Sequence, residues 1–291
     1  MQNPSKIFVS LLRRLLKLSL FEKLFLKFTM GNTPENIFVR LAPQNYHYKK
    51  PAIRNVKRNN IFYQLDISDY IQWWIYFGVY EKEKNNLYEL AMPGSYIMDV
   101  GSNIGEIAMN LASKVGPSGK IFCFEPDRLN YKRLQDNLAL NHFTNISTYH
   151  DALGNDNAEY KLYGYEGNRG CSRIVPANTS EQDNYSLVRT ITIDQWRKEN
   201  SIQKIDLIKI DTEGFEMKIL QGAVETISML KPILYIELDD VNLKLQHSSA
   251  AELISHLAKS GYRTISSVTG KEINEFQDFA GCHYDIICNP V

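Results

Sequence analysis

Three acidic side chains stand where short apolar runs end, and they are the residues best placed for chemistry. Asp99 closes Tyr96-Ile97-Met98-Asp99-Val100, Glu125 closes Lys120-Ile121-Phe122-Cys123-Phe124-Glu125, and Asp211 closes Ile205-Asp206-Leu207-Ile208-Lys209-Ile210-Asp211. Gly101 and Gly105, with Ser102 and Asn103 between them, follow Asp99 directly. A strand ending on a carboxylate, a glycine-loosened turn and a helix opening near Asn103 would set bare backbone N–H groups and a positive helix end beside a ligand. An acidic residue at the end of the next strand, about twenty residues on, suits hydrogen bonds from both hydroxyls of a ribose. The pattern therefore points to a nucleoside.

The glycine spacing narrows which nucleoside. A dinucleotide fold places Gly-x-Gly-x-x-Gly where backbone must approach a pyrophosphate, whereas here the spacing is Gly101-x-x-x-Gly105. S-adenosylmethionine has no pyrophosphate. Its ammonium suits Asp99 and its ribose suits Glu125, with Pro126 beside it. Asp151 and Ala152, at the end of the third apolar run, are placed for the adenine. An ordinary strand, turn and helix ending on an acid is the competing structural reading.

Positioning these groups requires alternating strands and helices. Beyond the first two strands, Asp127 reads as an N-cap for a helix over Arg128–Asn141, Ile146–His150 as a third strand, and Ile205–Ile210 as a fourth beside the first. Phe215–Leu230 reads as a helix and Ile233–Leu238 as a fifth strand carrying Glu237. A helix over Ala250–Lys259 follows, and Thr264–Val268 with Tyr284–Cys288 close the sheet. The expected architecture is α/β, a Rossmann-like doubly wound sheet of seven strands with a terminal antiparallel strand, plus an N-terminal helical extension. Its parts would be residues 1–30, 31–94 (linker and aromatic-rich helix) and 95–291. The stretch Glu166–Tyr185 reads as an inserted loop at the binding side, with Arg169, Gly170 and Ser172 as contact candidates. Trp73, Tyr80 and Glu81, in the aromatic segment Asp69–Glu89, are candidates for a substrate wall; burial against the sheet edge is the alternative.

The chain has 291 residues, with 33 basic and 33 acidic side chains and no net charge. Such balance offers no global field for nucleic acid, and no nucleic-acid partner is expected. The 4 cysteines are scattered, as in the reduced thiols of a cytoplasmic protein. Lys6–Phe28 departs from this balance: leucines and phenylalanines recur at helical spacing among six bases and the single acid Glu22. It reads as a basic amphipathic helix, too interrupted by charge to span a bilayer. It could lie on the inner face of an anionic membrane, pack on the protein or a second subunit, or serve as a transit peptide.

From about Ser95 to Pro290 the chain resembles the FkbM-type S-adenosylmethionine-dependent methyltransferases. The resemblance rests on Ile97-Met98-Asp99-Val100-Gly101-Ser102-Asn103-Ile104-Gly105, Phe124-Glu125-Pro126, Ala152-Leu153-Gly154, Asn168-Arg169-Gly170-Cys171-Ser172, Ile191-Thr192-Ile193-Asp194 and Lys209-Ile210-Asp211-Thr212-Glu213-Gly214-Phe215-Glu216. Gly78-Val79-Tyr80-Glu81 also looks like that family's approach to its first strand. The resemblance implies methyl transfer to oxygen on a glycan, polyketide or other small-molecule acceptor, with Asp99, Gly101 and Glu125 as cofactor contacts. For such a reaction Asp211, facing the methyl group, is the candidate base, with Glu213 or Glu237 as alternative or orienting partner. Asp211 and Glu237 could instead hold a divalent cation, but no third ligand is fixed by spacing, and no metal is expected. A non-catalytic nucleoside-binding module at a membrane and an NAD-dependent oxidoreductase are the competing functions.

Overall fold

The computed structural model describes residues 4–176 and 185–291. The chain divides into two units, Met1–Lys82 with Tyr165–Gly170, and Glu83–Gly164 with Cys171–Val291.

The second unit is built on a sheet of eight strands. In chain order these are β1 (Tyr96–Val100), β2 (Lys120–Phe124), β3 (Ile146–Tyr149), β4 (Leu207–Ile210), β5 (Ile233–Asp239), β6 (Tyr262–Ser266), β7 (Glu272–Ile273) and β8 (His283–Pro290). Their order across the sheet is β7-β6-β8-β5-β4-β1-β2-β3. Strands β5 to β3 run parallel, and β8 is inserted antiparallel between β5 and β6. Apart from β7, this is the order of the class I methyltransferase fold. The seven-stranded expectation is corrected by one short edge strand, where Ile273 is buried while Glu272 faces out.

Both faces of this sheet are covered, so its parallel strands read as nearly unbroken apolar runs rather than alternating ones. Met98, Val100, Phe122, Phe124, Ile208 and Ile236 pack on one side. Ile97, Ile121, Cys123, Leu207, Tyr235 and Ile287 pack on the other, against the helices Lys82–Glu89 and Glu106–Val115. Side chains alternate along a strand. The second face therefore also carries Asp99, Glu125, Lys209, Asp211, Glu237 and Asp285. An ionisable row thus gathers at the carboxyl ends on one face.

Two further expectations are corrected in this unit. The helix over Phe215–Leu230 is two, Glu216–Gln221 and Val224–Leu230. The break falls at Gly222, where a Cβ would lie 1.9 Å from the Gly154 carbonyl oxygen, so the chain turns there to admit a crossing segment. The expected loop Glu166–Tyr185 contains a strand, Arg173–Pro176, held in a separate four-stranded sheet with Glu159–Tyr163, Ser186–Ile191 and Ala152–Leu153. Ile174 is buried there, which a polar loop would not accomplish. Residues 177–184 of that predicted binding loop lie outside the described residues.

In the first unit the expected single amphipathic helix is two, Pro4–Leu16 and Ser19–Thr29, joined where Leu18 is extended. The break lets the second helix turn Glu22 inward. There its carboxylate accepts from Arg54 Nε at 2.7 Å, Tyr76 Oη at 2.9 Å and Tyr48 Oη at 3.1 Å, which clamps the helix to the hairpin Ile53–Arg58/Ile61–Asp66 and to the helix Tyr70–Phe77. Among the described residues, no helix is long and apolar enough to cross a membrane.

Candidate active site

Lys209 organises the carboxyl edge of the sheet. It sits on β4 in register with Asp99 on β1, and both side chains are buried. Its Nζ lies 3.5 Å from Asp99 Oδ1 and 3.2 Å from Asp211 Oδ2, and donates to the Gly101 carbonyl oxygen at 2.9 Å. Burial alone would push this ammonium down, but Asp211 and Asp99 reverse that and hold it above the ordinary lysine range. Burial pushes the Asp99 carboxyl up, with Lys209 pulling it back in part. Neither Asp99 oxygen receives a well-formed hydrogen bond from the described residues.

The turn after β1 is fastened to β2. The backbone N–H groups of Gly101 and Ser102 both donate to the Phe124 carbonyl oxygen at 3.0 Å, and Ser102 Oγ donates to the Asp99 carbonyl oxygen at 2.7 Å. Gly101 has φ +79°, and a Cβ there would lie 2.0 Å from the Asp211 carbonyl oxygen. This glycine is thus required by the close approach of β1 and β4, whereas a Cβ on Gly105 would meet Leu134 Cδ1 at 2.3 Å. Gly101→Ala is expected to cost about 2–4 kcal/mol through this clash and the left-handed backbone. Gly261, φ +81° just past the helix Ala250–Lys259 and with nothing within 4 Å, supplies a control in which only the backbone term remains, about 1–2 kcal/mol. Equal urea midpoints for the two alanine variants would contradict the assignment.

Glu125 closes the turn from the other side. Its Oε2 accepts the Asn103 N–H at 2.7 Å and its Oε1 accepts the Asp127 N–H at 2.8 Å. Each oxygen keeps further acceptor capacity. Burial raises its pKa to about 8, against the opposing pull of those N–H groups. Pro126 is half-buried beside it, and Asp127 caps the helix Arg128–Ala139, as its position in the sequence anticipated. Asp151 is half-buried and Ala152 buried, the latter paired with Thr190.

On the other flank, Asp211 keeps 42% of its side chain exposed. Glu213, at φ +56°, accepts from Asn242 Nδ2 at 2.7 Å and pairs with the Cys171 thiol; burial and the neighbouring Asp211 raise its pKa to about 7. Glu237 is mostly enclosed, and burial, then Asp211 and Glu213, push it well above the ordinary carboxylate range. Glu216 is fully buried and binds the loop that carries these acids: its Oε1 accepts the Thr212 N–H and Oγ1, each at 2.9 Å, and the Gly214 N–H at 3.2 Å. Burial raises Glu216 to about 7. Among the described residues no three His, Cys, Asp or Glu side chains are placed to hold a metal ion.

These raised acids have a consequence for stability. Between about pH 4.5, where an unfolded Glu ionises, and about pH 8, the folded chain keeps protons that the unfolded chain releases, so unfolding is favoured as pH rises. The melting temperature should fall from pH 5.5 to pH 8.5. A rise across that window would refute it.

The second unit therefore gathers Asp99, Gly101, Asn103, Gly105, Glu125, Asp211, Glu213 and Glu237 at one edge, and Ser172 belongs to the same unit. Trp73, Tyr80, Glu81, Arg169 and Gly170 fall in the first unit. There Trp73 is buried in the core, the alternative to a wall: it packs against the tilted ring of Phe77 and donates its indole N–H to the Pro43 carbonyl oxygen at 2.7 Å. Tyr80 is exposed, Glu81 half-buried, and the Arg169 N–H donates to Asp69 Oδ2 at 2.9 Å. Lys209 and Glu216 were not singled out from sequence. The signal for Lys209 was a lysine inside an apolar strand, two residues before a carboxylate.

A family model described as the methyltransferase FkbM domain matches residues 99–264, more than half of the chain. The chain belongs to the FkbM methyltransferase family. The 2-O-methyltransferase NoeI of Sinorhizobium fredii is 26% identical over 167 residues, which cover 53% of this chain and 67% of that protein. Methyltransferase 1 of Beauveria bassiana is 25% identical over 145 residues, 44% of this chain and 58% of that one. The solved FkbM methyltransferase of Methylobacillus flagellatus is 18% identical, with a TM-score of 0.43 over 75% of this chain and 52% of its own. The chain thus spans about two thirds or less of these relatives' lengths.

Proposed function

We propose that this FkbM-family chain transfers a methyl group from S-adenosylmethionine to a hydroxyl oxygen of a glycan or other small-molecule acceptor. One observation carries the reading: Glu125 binds the Asn103 N–H, so the acid that suits a ribose and the glycine turn beside it are held together on the face that bears Asp211. The name of the rhizobial 2-O-methyltransferase supports oxygen as the acceptor atom. The donor set fits the cofactor, since Glu125 retains lone pairs for ribose hydroxyls, with Asn103 bound to it and Pro126 next in the chain; Asp151 and Ala152 remain the proposed adenine contacts. When bound, the cofactor supplies an electrophilic methyl on a sulfonium. Asp99, being enclosed with Lys209, acts by fixing that lysine. Asp211 is the carboxylate open to a cationic ligand or an acceptor hydroxyl, and it takes the acceptor proton as Glu213 and Glu237 border it.

Titration with S-adenosylhomocysteine and with NAD tests the reading. Micromolar binding of S-adenosylhomocysteine with no response to NAD is expected; the reverse would establish an oxidoreductase. Labelled methyl donor with fractionated extracts should place label in glycan or small-molecule fractions, and cofactor binding with no turnover on any fraction would favour the non-catalytic module.

A further inference from the structure

The first unit carries an apolar surface whose residues have no place in the proposed chemistry. On the helix Pro4–Leu16, Leu11 is 58% exposed and Leu15 follows one turn later; on Ser19–Thr29, Leu20 is 68% exposed, Phe21 and Leu24 lie beside it, and Phe28 is 52% exposed. The spacing 11, 15 and 20, 24, 28 makes one stripe along each helix. Phe28 also meets Phe38 of the helix Ile37–Leu41, ring centroids 5.3 Å apart, so the outward faces of these two helices join. Contiguous exposure on this scale marks an interaction site.

The charges beside the stripe identify what it fits. At about 100° per residue, Lys23 and Lys27 fall next to the Leu20-Leu24 stripe on one side, and Arg14 falls in the same relation to Leu11 and Leu15. All three are exposed. The acid of this segment, Glu22, is on the opposite side of its helix and buried against Arg54, Tyr48 and Tyr76, so it subtracts nothing from the outer face. Beyond these helices Glu35 is exposed, as is Arg40. Long lysine and arginine stems can cover apolar surface while their heads stay in the polar layer.

We propose that the paired helices Pro4–Leu16 and Ser19–Thr29 form a docking surface for an anionic lipid bilayer, with the leucines and phenylalanines entering the acyl boundary and Arg14, Lys23 and Lys27 meeting headgroup phosphates and carboxylates. A second copy of this chain would bring the same bases face to face across a two-fold axis, a repulsion that anionic lipid removes. The surface is clamped from within by Glu22, so it is presented folded rather than assembled on contact.

Flotation of the full chain with vesicles of phosphatidylcholine alone, and with 30% phosphatidylserine, is the test. Binding to the anionic vesicles at least tenfold above the neutral ones is expected. Lys23→Gln with Lys27→Gln should lower it by about thirtyfold, from roughly fivefold per cation at the surface. Leu20→Ser with Leu24→Ser should abolish it, while both variants keep the wild-type melting temperature because the altered side chains are exposed. Equal binding to both vesicles, binding unchanged in both variants, or a dimer by light scattering that the Leu20→Ser/Leu24→Ser variant dissolves, would overturn the proposal.

Discussion

Lys209→Met is expected to destabilise the fold by about 3–5 kcal/mol, more than any other single change on this edge. The lysine lies between Asp99 at 3.5 Å and Asp211 at 3.2 Å, and it donates to the Gly101 carbonyl oxygen. Asp211 reaches solvent and can recover hydration, but Asp99 is enclosed with no well-formed hydrogen bond to replace the ammonium. Removing the cation therefore leaves one carboxylate to be neutralised or expelled, and either route disturbs the turn after β1. For a unit of this size the loss corresponds to about 6–20 °C in melting temperature. The partner test is the double variant Asp99→Asn/Lys209→Met, which removes the buried pair together. It should recover at least about 1–3 kcal/mol of the single variant's loss. A Lys209→Met melting temperature within about 2 °C of wild type would mean that Asp99 is neutral in the folded chain and that this ion pair organises nothing.

The parts of this molecule that were legible in the sequence share one property, in that their signals are local. The apolar runs of β1, β2, β4 and β5 are buried on both faces, so their composition alone marks them, and each ends on an acid where the sheet ends. Asp127 likewise announces itself as a cap, since its side chain accepts from Leu129 and Asn130 two and three residues on. The corrections come from contacts distant along the chain. The helix over residues 6–28 breaks because Glu22 is claimed by Arg54, 32 residues away, and by Tyr76, 54 residues away. Gly222 breaks a periodic helix because Gly154 crosses it. For Trp73 the sequence leaves a ligand wall and burial both open, and Pro43, 30 residues away, decides for burial by accepting its N–H. Lys209 was hidden for the opposite reason: its strand was recognised, but burial of its charge depends on β1 lying beside β4 in one register.

Asp211→Asn should lower kcat by about 10²–10⁴-fold while leaving affinity for S-adenosylhomocysteine within about threefold. The proposed transfer to a hydroxyl requires the oxygen to lie in line behind the methyl and to lose its proton as the new bond forms. Asparagine keeps the size of the side chain and one acceptor oxygen but cannot take that proton. Of the three acids beside this point, Glu213 is tied to Asn242 and Cys171, and Glu237 is largely enclosed, whereas Asp211 is open for 42% of its side chain. Lys209 fixes its direction without occupying the open side. Glu213→Gln should act differently, because a carboxyl with a pKa of about 7 beside Asp211 changes the local charge across neutral pH. It should cost about tenfold or less in kcat and remove an inflection near pH 7 from the kcat/KM profile. Activity is read with the acceptor fraction that takes up label. If Asp211→Asn retained a third of the wild-type kcat, proton removal would lie elsewhere; if it lost cofactor affinity in step with rate, Asp211 would be a ligand for the methionine ammonium and not the base.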